Sequence, residues 1–349
     1  MSPTKAALTA FRAKFDKQFG PDTIRDLKGP PPEFASTGSL ALDYAMGGGF
    51  VKGRIVELWG PEQTGKSTLL TIAATRYQQD NPGKMVGWID VEKTFDLDWA
   101  RAHGLKLDDD KFLLVQPGNA EEVADLAKEL IMSDLFGFIV LDSVGAMIPQ
   151  AEIEKDADEA TMALVAKIVT RMTKIAAAEA AKRGVILAII NQVRANLGYG
   201  GDITRTGGFA LGHVTTHRLK FRRADSPIKI GTKDSEVQVG QKIAVKVEKN
   251  KIAPPGRTAA LTMFNQQTEK YGPIGLDVAY DVFATARTAK VFGQRGAWYD
   301  LPDSTSHNGE AAVLKHLREH PEAVEQIRKL TLATRADEVI IDPVKEGTA

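Results

Sequence analysis

The chain has 349 residues, with 45 Lys and Arg balanced by 45 Asp and Glu, and 43% of it is hydrophobic. Zero net charge marks the chain as a whole for neither nucleic acid nor a membrane surface, and the absence of cysteine excludes a disulfide framework and thiolate chemistry. A chain this long holds a large core, as one big domain or as two to three pieces.

The opening residues, Met1 to Ala6, carry no apolar signal core, and no run approaches the length that spans a bilayer. A cytoplasmic protein without membrane contact is expected. Within residues 4–19, Leu8, Phe11, Phe15 and Phe19 recur at helical spacing, with Lys5, Arg12, Lys14 and Lys17 on the remaining surface. This predicts an amphipathic helix. Gly20-Pro21 and Gly29-Pro30-Pro31-Pro32 separate it from the rest of the chain. Spacing leaves open whether the helix docks on a neighbouring subunit or packs on its own core.

Arg54 to Trp59 reads as a short buried strand and Ser67 to Tyr77 as a helix. Between them Gly60-Pro61-Glu62-Gln63-Thr64-Gly65-Lys66-Ser67 fills every fixed place of G-x-x-x-x-G-K-[ST]. The glycines let successive N–H groups converge on nucleotide phosphates, and the helix behind them adds the positive end of its dipole. Lys66 is placed to reach the β- and γ-phosphates and Ser67 to offer its hydroxyl to magnesium.

Three further apolar strands end in polar residues. Met85 to Glu92 closes on Asp90 and Glu92, which alternation puts on one face, so spacing does not say which acts as base. Phe136 to Ser143 closes on Asp142, in the manner of a magnesium-holding aspartate strand. Val185 to Gln192 closes on the amides Asn191 and Gln192, which hydrogen-bond a phosphate without repelling it.

Residues 193–208 are glycine-rich and are expected to form no regular element. From Lys182 to Arg223 there are eight Lys and Arg (Lys182, Arg183, Arg194, Arg205, Arg218, Lys220, Arg222, Arg223) against one acid, Asp202. With Leu197 and Tyr199 this suits phosphate contact and base stacking, though a solvated loop would look similar. Ile243, Val245 and Val247 alternate as a strand before Lys249-Asn250-Lys251, whose lysines suit a distant phosphate or ordinary surface. Beyond residue 265, Gly296-Ala297-Trp298-Tyr299 precedes a helix from Glu310 to about His320. Pro321 begins another, with Ala323, Val324, Ile327 and Leu330 on one face. Residues 331–349 are expected to form a loose tail.

Taken together these residues resemble the RecA family of DNA recombinases, from about residue 4 to about residue 330. The likeness rests on the order of Ser36-Thr37-Gly38-Ser39-Leu40-Ala41-Leu42-Asp43, Gly60 to Ser67, Ile89-Asp90-Val91-Glu92, Val140-Leu141-Asp142-Ser143, Ile190-Asn191-Gln192-Val193-Arg194, Thr206-Gly207-Gly208, Lys249-Asn250-Lys251-Ile252 and Gly296 to Tyr299. It implies an α/β fold with a phosphate-cradle ATPase core, a central mostly parallel sheet, an N-terminal docking helix and a small α+β C-terminal lobe. The corresponding pieces are residues 1–32 for oligomerisation, 33–264 for the core with two DNA-binding loops, 265–330 for the lobe and 331–349 for the tail.

The resemblance also implies roles. ATP would be held by Gly60, Pro61, Glu62, Gln63, Thr64, Gly65, Lys66, Ser67 and Thr68, with Asp96 and Trp99 at the adenine. Glu92, not Asp90, would activate the attacking water, and Ser67 and Asp142 would hold magnesium. Gln192 would sense the γ-phosphate, and Lys249 and Lys251 would reach it from the neighbouring subunit. Met162, Lys167 and Lys174 match the first DNA loop and its helix; Arg194, Leu197, Gly207 and Gly208 match the second, with Arg205 beside them. Single-stranded and double-stranded DNA and further copies of the chain in a helical filament are the implied partners.

The likeness has departures. Gly212-His213 stands where the family commonly has lysine and phenylalanine, the tail lacks a strongly acidic run, and Glu154 to Glu159 makes the first DNA loop acidic. Two other readings share the core: a ring helicase and a regulatory ATP-binding module without DNA activity. The N-terminal helix and C-terminal lobe speak against the first, and Glu92, Gln192, Arg194 and the paired lysines against the second.

Overall fold

Strands alternating with helices pair in parallel, because each crossover helix returns the chain to the same end of the sheet. The computed structural model describes residues 3–20, 31–154, 160–195, 203–205, 208–224, 227–231, 235–268 and 272–334. It divides into two units, residues 1–33 and 34–349. The first holds α1 (Pro3–Phe19), whose Leu8, Phe11 and Phe19 are exposed.

The second unit opens with β1 (Phe34–Ala35), α2 (Leu40–Met46) and β2 (Phe50–Val51). It continues through β3 (Ile55–Gly60), α3 (Lys66–Asp80), β4 (Met85–Asp90), α4 (Leu97–Ala102), β5 (Phe112–Val115), α5 (Ala120–Met132) and β6 (Phe136–Asp142). Then come α6 (Gln150–Glu154), α7 (Ala160–Arg183), β7 (Ile186–Ala195), β8 (Ile203–Arg205), α8 (Gly208–Val214) and β9 (His217–Arg223). In order, β9, β3, β7, β6, β4 and β5 form a parallel sheet. Every residue of β3 is buried, as a parallel strand covered on both faces requires. Leu69, Leu70, Ala73, Ala74 and Tyr77 of α3 cover one face, and Val123 and Ala127 of α5 with Val165, Val169 and Met172 of α7 cover the other.

An antiparallel wing extends this sheet beyond β9. It consists of β10 (Ile228–Ile230), β11 (Val237–Asn250), β12 (Thr258–Phe264) and β13 (Gly275–Leu276). The expected alternating strand is therefore β11, which runs through Lys249 itself. After α9 (Val278–Thr288), the hairpin strands β14 (Gly293–Arg295), β15 (Trp298–Asp300) and β16 (Ser306–Asn308) precede α10 (Glu310–Glu319) and α11 (Pro321–Ala333). These elements share a cluster around Phe283, Tyr299, Val313 and Ile327, into which Leu40 of α2 inserts. Buried Asp281 accepts from Ser39 Oγ at 2.9 Å and Leu40 N at 2.5 Å, and Arg328 donates to Asp43 Oδ2 at 3.0 Å, so polar bonds tie these helices to α2.

Three expectations change. Residues 193–208 are not wholly irregular, because β7 runs past Gln192 to Ala195 and pairs antiparallel with β8, Arg194 opposite Thr204. Leu330 does not join the buried face of α11; it is 43% exposed, and Arg328 and Thr331 are buried instead. The helix also continues to Ala333, so residues 331–333 are not tail. Residues 335–349 lie outside the described residues, as do 21–30 of the linker and 155–159 of the acidic loop.

Candidate active site

Gly60 closes β3 opposite Gln192 of β7, and Asp90 closes β4 opposite Asp142 of β6. Register alone thus brings four singled-out positions to the carboxyl edge of the sheet, where ligands of open α/β sheets bind. Gly60 (φ +147) and Gly65 (φ +78) take left-handed conformations, and Gly65 N-caps α3 without a side-chain bond. The first N–H groups of α3 are thereby left for an anion.

Lys66 is buried and donates from Nζ to Gly60 O at 3.0 Å and Pro61 O at 2.6 Å. Burial lowers its pKa, opposed by Asp142, Glu92 and Glu62. Ser67 Oγ donates to Asp142 Oδ2 at 2.8 Å. Burial pushes the Asp142 carboxyl up to about 6; the Ser67 bond and Lys66 pull it down, and Glu92 and Asp90 push it further up. A hydroxyl and a carboxylate oxygen are the hard donors magnesium takes, and a cation would relieve this crowding of acids. Among the described residues there is no group of three or more His, Cys, Asp or Glu that could hold a metal ion.

Spacing leaves Asp90 and Glu92 equivalent, and the structure separates them. Asp90 is 1% exposed and accepts from Thr94 N at 3.2 Å, Phe95 N at 3.1 Å and Gln116 Nε2 at 2.9 Å. It pins the turn after the strand. Glu92 lies beyond the end of β4, free of its alternation, and accepts from Ser143 Oγ at 2.5 Å and Gln192 Nε2 at 2.6 Å. The amides divide likewise: Gln192 lines the cleft with Glu92, whereas Asn191 is fully buried and donates to Glu57 Oε1 at 2.9 Å. Glu62, Gln63, Gly65, Lys66, Ser67, Thr68, Glu92, Asp142, Ile190 and Gln192 line one cleft of about 370 Å³.

A second cleft of about 210 Å³ shares Gln63, Gly65 and Thr68 with the first and adds Trp99, Arg223, Gln238, Gln241, Met263, Phe264 and Asn265. Aromatic faces with amides suit a flat heterocycle next to a phosphate chain. Asp96 lines neither cleft; it N-caps α4, accepting from Asp98 N at 3.0 Å and Trp99 N at 2.9 Å. Sequence reading missed Ser143 as a partner of Glu92, and it missed Gln238, Gln241, Phe264 and Asn265 of the second cleft, which come from β11, β12 and the residue after it and share no local motif with the glycine loop.

Lys249 and Lys251 grip the C-terminal turn of α8. Lys249 Nζ donates to Gly212 O at 2.7 Å and His213 O at 3.1 Å, and Lys251 Nζ to His213 O at 3.1 Å. Burial, then Lys251 and Arg218, lower the Lys249 pKa.

The basic run is partly neutralised. Lys182 and Arg183 pair with Glu179, and Arg218 pairs with Glu57 at 2.8 Å. The remainder combines across strands: Lys220 on β9 stands directly opposite Lys246 on β11, and alternation puts Arg222 and Lys242 on the same face. Directly opposed like charges destabilise a sheet, so this surface suits a polyanion. Lys167 and Lys174 are exposed on α7, and Arg171, which sequence reading passed over, is exposed between them at helical spacing. For Met162, Arg194, Arg205 and Gly208 only the backbone is described; Leu197 and Gly207 lie outside the described residues.

A family model described as "RecA N-terminal domain" matches residues 6–268. Curated relatives named "Protein RecA" match nearly the whole chain. That of Thermus thermophilus is 36% identical over 347 residues, covering 97% of each chain. That of Halalkalibacterium halodurans is 34% identical over 334 residues, covering 94% of this chain and 91% of its own, and that of Nostoc punctiforme is 33% identical over 334 residues, covering 94% and 89%. A solved structure described as "Crystal structure of the RadB recombinase" matches 66% of this chain and 96% of its own at 21% identity and a TM-score of 0.49, which carries no weight beside the sequence matches.

Proposed function

The chain belongs to the RecA family, and from that premise and its cleft we infer an ATP-dependent DNA recombinase that coats single-stranded DNA as a helical filament and pairs it with homologous duplex. One observation carries this: Lys66, Ser67, Asp142, Glu92 and Gln192 converge on a single cleft. No helix among the described residues is long and apolar enough to cross a membrane.

Lys66 and the N–H groups opening α3 bind the phosphates, Lys66 exchanging its loop carbonyls for phosphate oxygens. Ser67 and Asp142 would hold magnesium, which when bound neutralises phosphate charge. Glu92 takes a proton from the attacking water, and because Ser143 and Gln192 both donate to Oε1, they orient the carboxylate and leave Oε2 to accept it. Because Gln192 lies on β7, which continues into the hairpin with β8, a phosphate competing for its amide is felt in the hairpin backbone. Lys249 and Lys251 reach the γ-phosphate of the next copy, placing ATP at the subunit boundary, and residues 1–32 form the assembly arm.

For DNA, α7 with Lys167, Arg171 and Lys174 and the β7–β8 hairpin face the single strand. The sheet face of Lys220, Arg222, Lys242 and Lys246 suits the incoming duplex, and homology is read by base pairing.

The test is joint-molecule formation with ATP, magnesium, circular single-stranded DNA and a homologous or heterologous linear duplex. Joint molecules with the homologous duplex alone are expected. DNA-stimulated hydrolysis without any joint molecule would replace this reading with a ring helicase.

A further inference from the structure

Glu57 sits in the middle of β3, 2% exposed, between β9 and β7. A carboxylate there is costly unless both oxygens find donors. Both do. Oε2 accepts from Arg218 Nε at 2.8 Å, and Oε1 accepts from Asn191 Nδ2 at 2.9 Å.

The two donors belong to different halves of the proposed chemistry. Asn191 precedes Gln192, which donates to Glu92 in the protomer's own cleft. Arg218 stands opposite Lys249 in the register of β9 with β11. Its guanidinium fills the space beside Gly212, where an added Cβ would fall well inside 3.0 Å of Nη2. The carbonyl of Gly212 is in turn the one that Lys249 grips at 2.7 Å.

We propose that Glu57 is a positioning residue: by fixing Arg218 against Gly212 it sets where Lys249 and Lys251 stand, and through Asn191 it ties that placement to the strand carrying Gln192. A well-packed apolar residue stabilises a sheet interior at least as well as a buried ion pair does. Packing therefore gives no reason for an acid at this position, whereas a cross-strand tie from β7 to β9 does. A protomer's response to its own nucleotide is thereby linked to the cations it offers its neighbour. The departure at Gly212 fits this arrangement, since a side chain there would require the end of the Arg218 guanidinium to shift.

The inference rests on the reading that Lys249 and Lys251 act across the subunit boundary, and subunit mixing separates the two. Glu57→Gln alone is expected to lower DNA-stimulated kcat about tenfold or more while KM for ATP stays within about twofold, because its own phosphate cradle is intact. Mixed with Lys66→Ala chains, which turn over no ATP but offer intact lysines, it regains activity several-fold. Lys249→Ala mixed with Lys66→Ala is the reference and is expected to recover in the same way. If the reference recovers and Glu57→Gln does not, Glu57 serves only its own protomer and the proposal is overturned. If neither recovers, the cross-boundary reading fails and takes the proposal with it. Arg218→Lys, which keeps the charge and loses the planar fork, repeats the test should Glu57→Gln fail to fold; full activity of Arg218→Lys alone would also overturn it.

Discussion

Gln192 donates from Nε2 to Glu92 Oε1 at 2.6 Å, joining the residue placed to accept a proton from water to the strand that continues into the β7–β8 hairpin. Replacing Glu92 by Gln keeps the shape and removes the base. ATP binding is expected to persist while turnover falls by about 10²-fold or more, leaving the chain fixed on DNA. Parallel measurement of nucleotide binding and DNA-stimulated phosphate release checks this. Undiminished hydrolysis would move the base elsewhere.

Asp142, proposed above to hold magnesium, would give binding of the ion a pH window. Its carboxyl titrates near 6 in the fold against an ordinary value of 3.8. Because the folded value is the raised one, this group's contribution to stability is full below about pH 3.8 and is lost as pH rises through about 6. Magnesium requires the ionised form, so binding must displace a proton at the acid end. The rise in Tm that magnesium and nucleotide produce is expected to be largest above about pH 7 and to shrink below about pH 6. In Asp142→Asn the rise itself should be small at every pH. An increment in the parent chain that is constant from about pH 5 to 8 would remove Asp142 from the magnesium site.

The range of the forces involved decides what a sequence carries and what it omits. The glycine loop, the strands carrying Asp142 and Gln192, and the helices from Glu310 and Pro321 were legible because periodicity and turn chemistry are local. Spacing did not separate Asp90 from Glu92, and only the resemblance to the family did, since the contacts that separate them come from Gln116, just past β5, and from Gln192 on β7. Nor was the opposition of Lys220 to Lys246 legible, since it needs the register of β9 against β11. The β7–β8 pairing was missed because glycine-rich composition hid two short antiparallel partners, residues 193–195 and 203–205.

Gly60 and Gly65 are both needed by the cradle but for different physical reasons. A Cβ on Gly60 (φ +147) would fall well inside 3.0 Å of the Phe221 carbonyl oxygen, which belongs to the backbone of β9 and cannot swing aside. On Gly65 (φ +78) it would meet the ends of Ile243 and Met263, which can move. Gly60→Ala is therefore expected to cost about 3 kcal/mol or more of stability and Gly65→Ala about 1–2 kcal/mol, the second chiefly from its left-handed backbone. Denaturant midpoints order the two. Equal losses would mean that backbone conformation, rather than the contact with β9, sets the cost.

The apolar ridge of α1 makes the assembly arm testable without touching the cleft. Leu8, Phe11 and Phe19 are 50%, 51% and 58% exposed, and Phe11 packs on Phe15 at 4.4 Å between ring centroids, so the ridge is ordered along the helix yet open to water. Exposed aromatic rows of this kind mark association surfaces. Phe11→Asp puts a charge in the centre of that row and is expected to weaken self-association by about 2–4 kcal/mol. Stability of the unit formed by residues 34–349 should be unaltered, with Tm within about 1 °C. Sedimentation with ATP and single-stranded DNA should then show short or no filaments, while nucleotide binding by the single chain persists. Filaments of parental length would show that α1 is not the assembly arm, and the subunit boundary would have to be sought on the sheet edge or the C-terminal lobe.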